Sequence, residues 1–230
     1  MPRTPLLSSD QVSAAAANNA DWCELICRAN GVATQRNDRW WSAASRSPAL
    51  YPDAVTLTPG VEVGELLGTI DNTDGASVKD SYGTLELAGA GFGVLFRAHW
   101  IIRPPPAPAG TAGPAWDEVR DPDSLTEWAH AHGIGATLAR AVLADPGVVI
   151  LRRRSAGRTD GGAILNRSAT VLGVSNVFGE GGTELWNDVV AAIPSRFRRL
   201  PLVGYERGDD LVHCLAAGFE QMGGLSVWQR

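Results

Sequence analysis

Several signatures of dedicated chemistry are missing from this chain. It has no His-Glu-x-x-His run, no paired Cys-x-x-Cys, no Gly-x-Ser-x-Gly and no Walker-type loop. The first two absences argue against a zinc site, the third against a nucleophile-elbow hydrolase and the last against a P-loop nucleotide site. His130 and His132 stand two apart on a helical stretch, face different ways and make a poor metal pair. No metal is therefore expected. Cysteine is scarce, with three in 230 residues. An odd, small number fits free thiols in a reducing compartment rather than a disulfide framework. Basic excess is also missing: the net charge is -5, which argues against a nucleic-acid surface. No apolar run approaches the roughly 20 residues that cross a bilayer, and the start, MPRTPLLSSDQVSAAAANNA, lacks the continuous apolar segment of a secretory signal. The expectation is a cytoplasmic protein with no nucleic-acid or membrane partner.

What is present is an ordinary globular composition, 44% hydrophobic and 20% charged, long enough for one large domain or two small ones. Apolar spacing predicts a first helix over Gln11–Asn30, stopped by Gly31. Cys23 and Cys27 neighbour each other on one face of it and read as buried thiols. Asp38–Leu57 reads as a loop ending in the β-prone AVTL. Thr58-Pro59 reads as the start of a helix over Gly60–Ile70, and Asp71–Gly75 as a turn.

The stretches Ala76–Arg103 and Val203–Arg230 resemble each other. Each carries a helical segment with a central leucine, reaches Ala-Gly-Phe (Ala90-Gly91-Phe92; Ala217-Gly218-Phe219) and ends in a strand with a tryptophan and a closing arginine. Self-similarity over a supersecondary unit marks duplicated architecture. Between the two halves, Arg103–Trp116 (RPPPAPAGTAGPAW) has no apolar period and reads as an extended linker. The domains expected are 1–103, a linker at 104–114, and 115–230. In the second half, Ala115–Arg120 reads as a strand. Ser124-Leu-Thr-Glu127 reads as a capping box opening a helix through His132, and Ile134–Ala144 as another helix. Val148–Arg154, Ala163–Asn166 and Thr170–Phe178 read as a strand meander. Thr183 reads as the cap of a helix over Glu184–Ile193, Leu200–Tyr205 as a strand, Asp209–Ala217 as a helix and Phe219–Trp228 as a strand.

That order, β-α-α-β-β-β-α-β-α-β over about 115 residues with a helix–Gly-Phe–strand ending, resembles the GCN5-related N-acetyltransferase (GNAT) superfamily. The resemblance implies an α/β fold with a mixed, mostly antiparallel twisted sheet flanked by helices, as two tandem GNAT-like domains of which the first is shortened. It implies acyl transfer from acetyl-CoA, or another acyl-CoA, to a small-molecule amine. A non-catalytic binding module, or different chemistry on a small metabolite, are the competing readings. A small-molecule substrate is the partner expected, and a homodimer stays open.

In the family the cofactor pyrophosphate meets backbone N–H groups at the start of the helix after the fourth strand. The matching stretch here is Val174, Ser175, Asn176, Val177, Gly179, Gly181, Gly182 and Thr183. The family's leading basic or amide residue is missing, and Glu180 and Glu184 bring negative charge. Arg207 aligns with an asparagine that often precedes the last helix. Where many relatives carry an acid tyrosine this chain has Cys214, readable as a substituted acid, a nucleophile or core. Tyr205, Glu206, Asp209, Asp210 and His213 gather at a strand end, where Glu206 or His213 could act as base. The aspartates also read as helix caps. Arg152, Arg153, Arg154 and Arg158 read as a solvated hairpin tip, or as a greeting for an acidic group.

Overall fold

The computed structural model describes residues 9–106 and 116–230. Most of the proline-rich linker expected at 104–114 lies outside the described residues, as do residues 1–8. The strands are β1 (Thr34–Arg36), β2 (Trp40–Ala43), β3 (Ala54–Thr56), β4 (Ser77–Asp80), β5 (Gly93–Arg103) and β6 (Trp116–Glu118), then β7 (Val148–Ser155), β8 (Arg158–Arg167), β9 (Leu172–Gly179), β10 (Leu202–Glu206) and β11 (Glu220–Gln229). The helices are α1 (Ser9–Ala29), α2 (Val63–Leu67), α3 (Pro122–His132), α4 (Thr183–Ala192) and α5 (Gly208–Ala216). All the strands join one sheet in the order β1-β2-β3-β4-β11-β5-β10-β9-β8-β7-β6. Among the described residues only β3/β4 and β9/β10 pair parallel. The mixed, mostly antiparallel sheet flanked by helices is the α/β architecture the sequence implied.

The strand order crosses the two halves of the sequence. β5 follows Gly91-Phe92 and pairs with β10; β11 follows Gly218-Phe219 and pairs with β4. β5 and β11 then pair antiparallel with each other. Each half therefore lends its closing strand to the edge of the other. Gly91 and Gly218, two residues before these strands, are left-handed at φ 85° and 88°, a conformation glycine reaches without a Cβ clash.

Alternation along the strands sends side chains to two covered faces. On one face α1 and α3 lie over Ala98, Trp100, Val203 and Ile164. On the other, α4 and α5 pack Trp186, Val189, Cys214 and Phe219 against Leu172, Val174 and Leu202. Small residues on α1 (Ala15, Ala16, Ala20), all buried, let that helix lie close on the sheet.

Several local expectations are corrected. Asp38–Leu57 contains β2 and β3: Trp40 and Trp41 point to opposite faces and both are buried, so the pair is a strand inside a two-sided sheet. The helix expected over Gly60–Ile70 shrinks to Val63–Leu67, because Gly60 takes φ 72° and Glu62 is extended. α3 is capped by Asp121, whose Oδ1 accepts from the backbone N–H of Asp123 (3.1 Å) and Ser124 (2.9 Å), with Pro122 at its first position. Glu127 is spent on Thr159 instead of completing a capping box. Ile134–Ala144 folds as two 3-10 turns because Gly135 is left-handed and Leu138 extended. The segment before Gly91 keeps only a 3-10 turn, Ala88–Ala90. α4 begins at Thr183 with Gly182 as its cap, and α5 begins after Arg207, neither with a side-chain cap.

Candidate active site

The parallel pair β9/β10 is joined at only two positions, Leu202↔Leu172 and Val203↔Gly173. Beyond them the strands diverge. A fork of this kind leaves backbone N–H and C=O groups on its inner edges without a ladder partner, and such groups seek one. Gly204 sits at the apex: a Cβ there would lie 2.6 Å from the Val174 carbonyl oxygen. Further along β9, Ile164 faces Ser175 while Gly162 faces Phe178, so Ala163 stands opposite two residues. The bulge centres on Asn176, which takes φ 52°, unusual for a residue with a side chain.

A cavity of about 270 Å³ fills the fork. β9 contributes Gly173 to Val177, and β10 contributes Val203 to Glu206. Tyr205 and Glu206 are consecutive, and so point to opposite faces of the sheet, yet both line the cavity. Asn18, Asn19 and Trp22 of α1 roof one side, with Tyr51 and Leu50 at its rim and Lys79 entering from β4. Leu50 is 76% exposed at φ 74°. Asn18 and Asn166 lock the roof to the sheet. Asn18 Nδ2 donates to the Asn166 carbonyl (3.0 Å) and to Ser168 Oγ (2.9 Å), and Asn166 Nδ2 donates to the Asn18 carbonyl (3.1 Å). They meet directly over Gly173, where a Cβ would come within 2.1 Å of Asn18 Oδ1.

The corresponding fork in the first half, between β3 and β4, is bridged by protein groups. The Ser81 N–H donates to Thr56 Oγ1 (2.8 Å), and the Tyr82 hydroxyl donates to the Leu57 carbonyl (2.7 Å).

Glu206 is half-buried. Burial raises its carboxyl from 4.5 to about 8; the nearby Asp210 pushes the same way and the Arg207 guanidinium opposes. A carboxyl in that range exchanges its proton near neutral pH. Cys214 lies in the core, its Sγ donating to the Leu211 carbonyl (3.2 Å), and burial with Glu206 nearby pushes the thiol up to about 12. It does not line the cavity. His213 lies beside the start of α4, its Nδ1 3.4 Å from Thr183 Oγ1 and its ring against Gly182. Arg207 stacks on Phe96, 4.7 Å from the ring centre.

The loop from Gly179 to Thr183 uses three glycines at φ 125°, 130° and 54°. Arg153 fastens its back, donating through Nη1 to the Glu180 carbonyl (2.9 Å) and pairing with Asp160 (2.9 Å). α4 opens there with its first amides uncapped by any side chain, a positive end suited to an anion. Glu180 and Glu184 offset part of that charge.

The fold thus brings Val174, Ser175, Asn176, Val177, Tyr205 and Glu206 to one cavity. It places Gly179, Gly181, Gly182, Thr183 and His213 at the neighbouring helix start, and Cys214 in the core. Reasoning from the second half alone missed Asn19, Trp22, Tyr51 and Lys79, all from the first half. One signal was available: Lys79 is the sole lysine of the chain, against nineteen arginines. Among the described residues no group of three or more His, Cys, Asp or Glu could hold a metal ion, and no helix is long and apolar enough to cross a membrane.

No protein-family model matches the chain, and no curated protein matches it in sequence. Solved structures do match in fold. A GCN5-related N-acetyltransferase from Kribbella flavida superposes with a TM-score of 0.63 at 15% identity, covering 94% of this chain and 95% of its own. A putative acetyltransferase from the GNAT family of Novosphingobium aromaticivorans gives 0.60 at 14% identity, covering 94% and 98%. A functionally unknown conserved protein from Staphylococcus epidermidis gives 0.54 at 8% identity, covering 84% and 91%. The chain has the fold of the GCN5-related N-acetyltransferases. The likeness extends over nearly its whole length, both halves included.

Proposed function

We propose that the chain is an acyltransferase that moves an acyl group from a CoA thioester to a small-molecule amine, working at the β9/β10 fork. The observation that carries this reading is the fork itself: two parallel strands that part after two residue pairs, a bulge on one and a half-buried carboxyl on the other. The unpaired edges of Val174–Asn176 would hold the extended pantetheine arm in the manner of an added strand. Gly179–Thr183 and the start of α4 would hold the pyrophosphate. A bound acyl-CoA would supply the activated acyl group.

The chain's own part follows from position and charge. Backbone amides at the Asn176 bulge would stabilise a thioester carbonyl oxygen as it gains negative charge. Glu206 takes the proton from the attacking amine, its raised affinity for protons matching it to an amine near neutral pH. Cys214, bound to a carbonyl of its own helix inside the core, serves packing in this scheme. The bridging of the first-half fork by Ser81 and Tyr82 supports assigning the work to the second half. Three buried free thiols support a reducing, cytoplasmic setting.

Isothermal titration with acetyl-CoA and with free CoA tests the reading. Micromolar binding is expected, weakened at least tenfold by Gly182→Asp, which adds a carboxylate at the loop. No heat and no thermal shift with either ligand refutes acyl transfer and favours a binding module that kept the fold.

A further inference from the structure

Among the described residues, charged side chains less than a tenth exposed are, with one exception, answered by opposite charge or by several hydrogen bonds. Asp53, 1% exposed, accepts from Arg46 Nη1 (2.7 Å) and from the backbone N–H of Ser47 (2.7 Å) and Ser77 (2.8 Å). Asp80, equally buried, accepts from the backbone of Tyr82 (3.2 Å) and Leu85 (2.8 Å). Arg152 pairs with Asp117 and Glu127.

Lys79 is the exception. It is 3% exposed and lines the cavity. Its Nζ donates once, to Asn19 Oδ1 (2.9 Å), and lies 4.1 Å from the centre of the Tyr205 ring. Among the described residues no carboxylate lies within ion-pairing distance of it. An ammonium has three donors, and taking it out of water costs several kcal/mol unless charge and hydrogen bonds answer it. A neutral amide and a ring face answer only part of that cost.

The groups around it are donors too. Asn19 spends its oxygen on Lys79, which leaves its amide nitrogen to donate. The Trp22 indole N–H is buried at the cavity wall without a hydrogen-bond partner, with the Tyr51 hydroxyl as its near neighbour. A lone lysine in a chain that otherwise uses arginine is also a choice of a compact, rotatable point charge over a planar fork.

We propose that Lys79, with Asn19 and Trp22, forms a carboxylate-binding pocket in the cleft, so that one of the two reactants carries a carboxylate. This rests on the acyl-transfer reading only for the word reactant. The carboxylate could belong to the acceptor, as in an amino acid, or to the acyl group, as in a dicarboxylic acyl thioester.

Because Lys79 is the only lysine, protein labelled with 13C at lysine Cε reports on this site through a single side-chain signal. The probes are L-amino acids, each matched with the amine lacking its carboxylate, and succinyl-CoA matched with acetyl-CoA. In one arm the carboxylate-bearing member is expected to move the signal and bind at least tenfold more tightly than its match. Lys79→Met should abolish that preference and Lys79→Arg should keep part of it. The arm that responds identifies which reactant carries the group. A preference that survives Lys79→Met, or no response to any carboxylate in either arm, overturns the proposal. Should Lys79→Met not fold, Trp22→Phe keeps an aromatic ring but removes the indole N–H and should weaken carboxylate binding severalfold; unchanged binding there overturns it as well. Carboxylate capture without CoA binding would sink acyl transfer alone. Amine acetylation without carboxylate preference would sink this proposal alone.

Discussion

Glu206→Gln should change how the stability of this protein depends on pH, and in one direction only. In the unfolded chain the carboxyl releases its proton near 4.5, whereas in the fold burial and Asp210 hold it until about 8. Between those values the folded protein carries a proton that the unfolded chain has lost. Stability must then fall as pH rises through the window, because the unfolded state binds fewer protons. The contribution is fully present below pH 4.5 and gone above about 8. A window about 3.5 pH units wide sets a ceiling of about 5 kcal/mol. Water reaching the half-buried carboxyl through the cleft mouth screens part of this, so about 2–4 kcal/mol is the working figure.

Glutamine keeps the shape and cannot titrate. Urea melts of both proteins at pH 5, 6, 7, 8 and 9 isolate the effect, since every other titrating group is common to the two. Wild type should lose about 2–4 kcal/mol relative to the variant across that range, with the steepest change at about pH 6, midway between the two values, and a levelling above about pH 8. Curves that run parallel throughout would falsify the claim that the fold holds this carboxyl protonated. Its role as an amine base tuned to neutral pH would then go with it.

Three further substitutions probe the geometry around that carboxyl. Gly173→Ala places a methyl within 2.1 Å of Asn18 Oδ1 and 2.3 Å of Asn166 Oδ1; it should cost about 1–3 kcal/mol by prising α1 from the sheet, seen in urea melts. Gly204→Ala meets the Val174 carbonyl at 2.6 Å. It should widen or fill the fork, lowering CoA affinity at least tenfold in titration calorimetry while the far-UV spectrum is kept. Cys214→Ala removes a fully buried thiol from the α4/α5 core. It should lower stability by about 1–2 kcal/mol in denaturant melts and leave ligand affinity unchanged.

The second half was legible in sequence because its signals are local. Runs such as VVILRRR and TVLGVSNVF announce strands, Gly218 announces the end of α5, and the glycines from 179 to 182 announce a tight approach to a helix start. Where local signals conflicted, the structure went to the glycine: Gly60 shortened α2, and Gly135 turned an expected helix into 3-10 turns. Trp40 and Trp41 were unreadable as a strand because both faces of that part of the sheet are covered, so no alternation of polar and apolar residues survives. Glu206 was named from its place at a strand end, but the reason its proton is held tightly lies in burial and in Asp210, in the first turn of α5. Neither is visible in a list of residues.

The cleft's other half was hidden for a topological reason. Lys79 and Tyr205 are 126 positions apart, and they meet because the closing strands are exchanged. In the sheet β4 and β10 are separated by β11 and β5, three strand spacings or about 14 Å. A lysine reaching from one side and a tyrosine from the other can span that gap only over small residues. Ala98 on β5 and Ala15 on α1 are both buried in the cluster against which Tyr205 packs. Had β5 and β11 each closed its own half, β4 and β10 would each be flanked by that half's own strand, and nothing would place Lys79 beside the working fork. The exchange therefore does more than tie two halves into one sheet. It makes the first half, whose own fork is bridged by Ser81 and Tyr82, the supplier of the positive charge in the second.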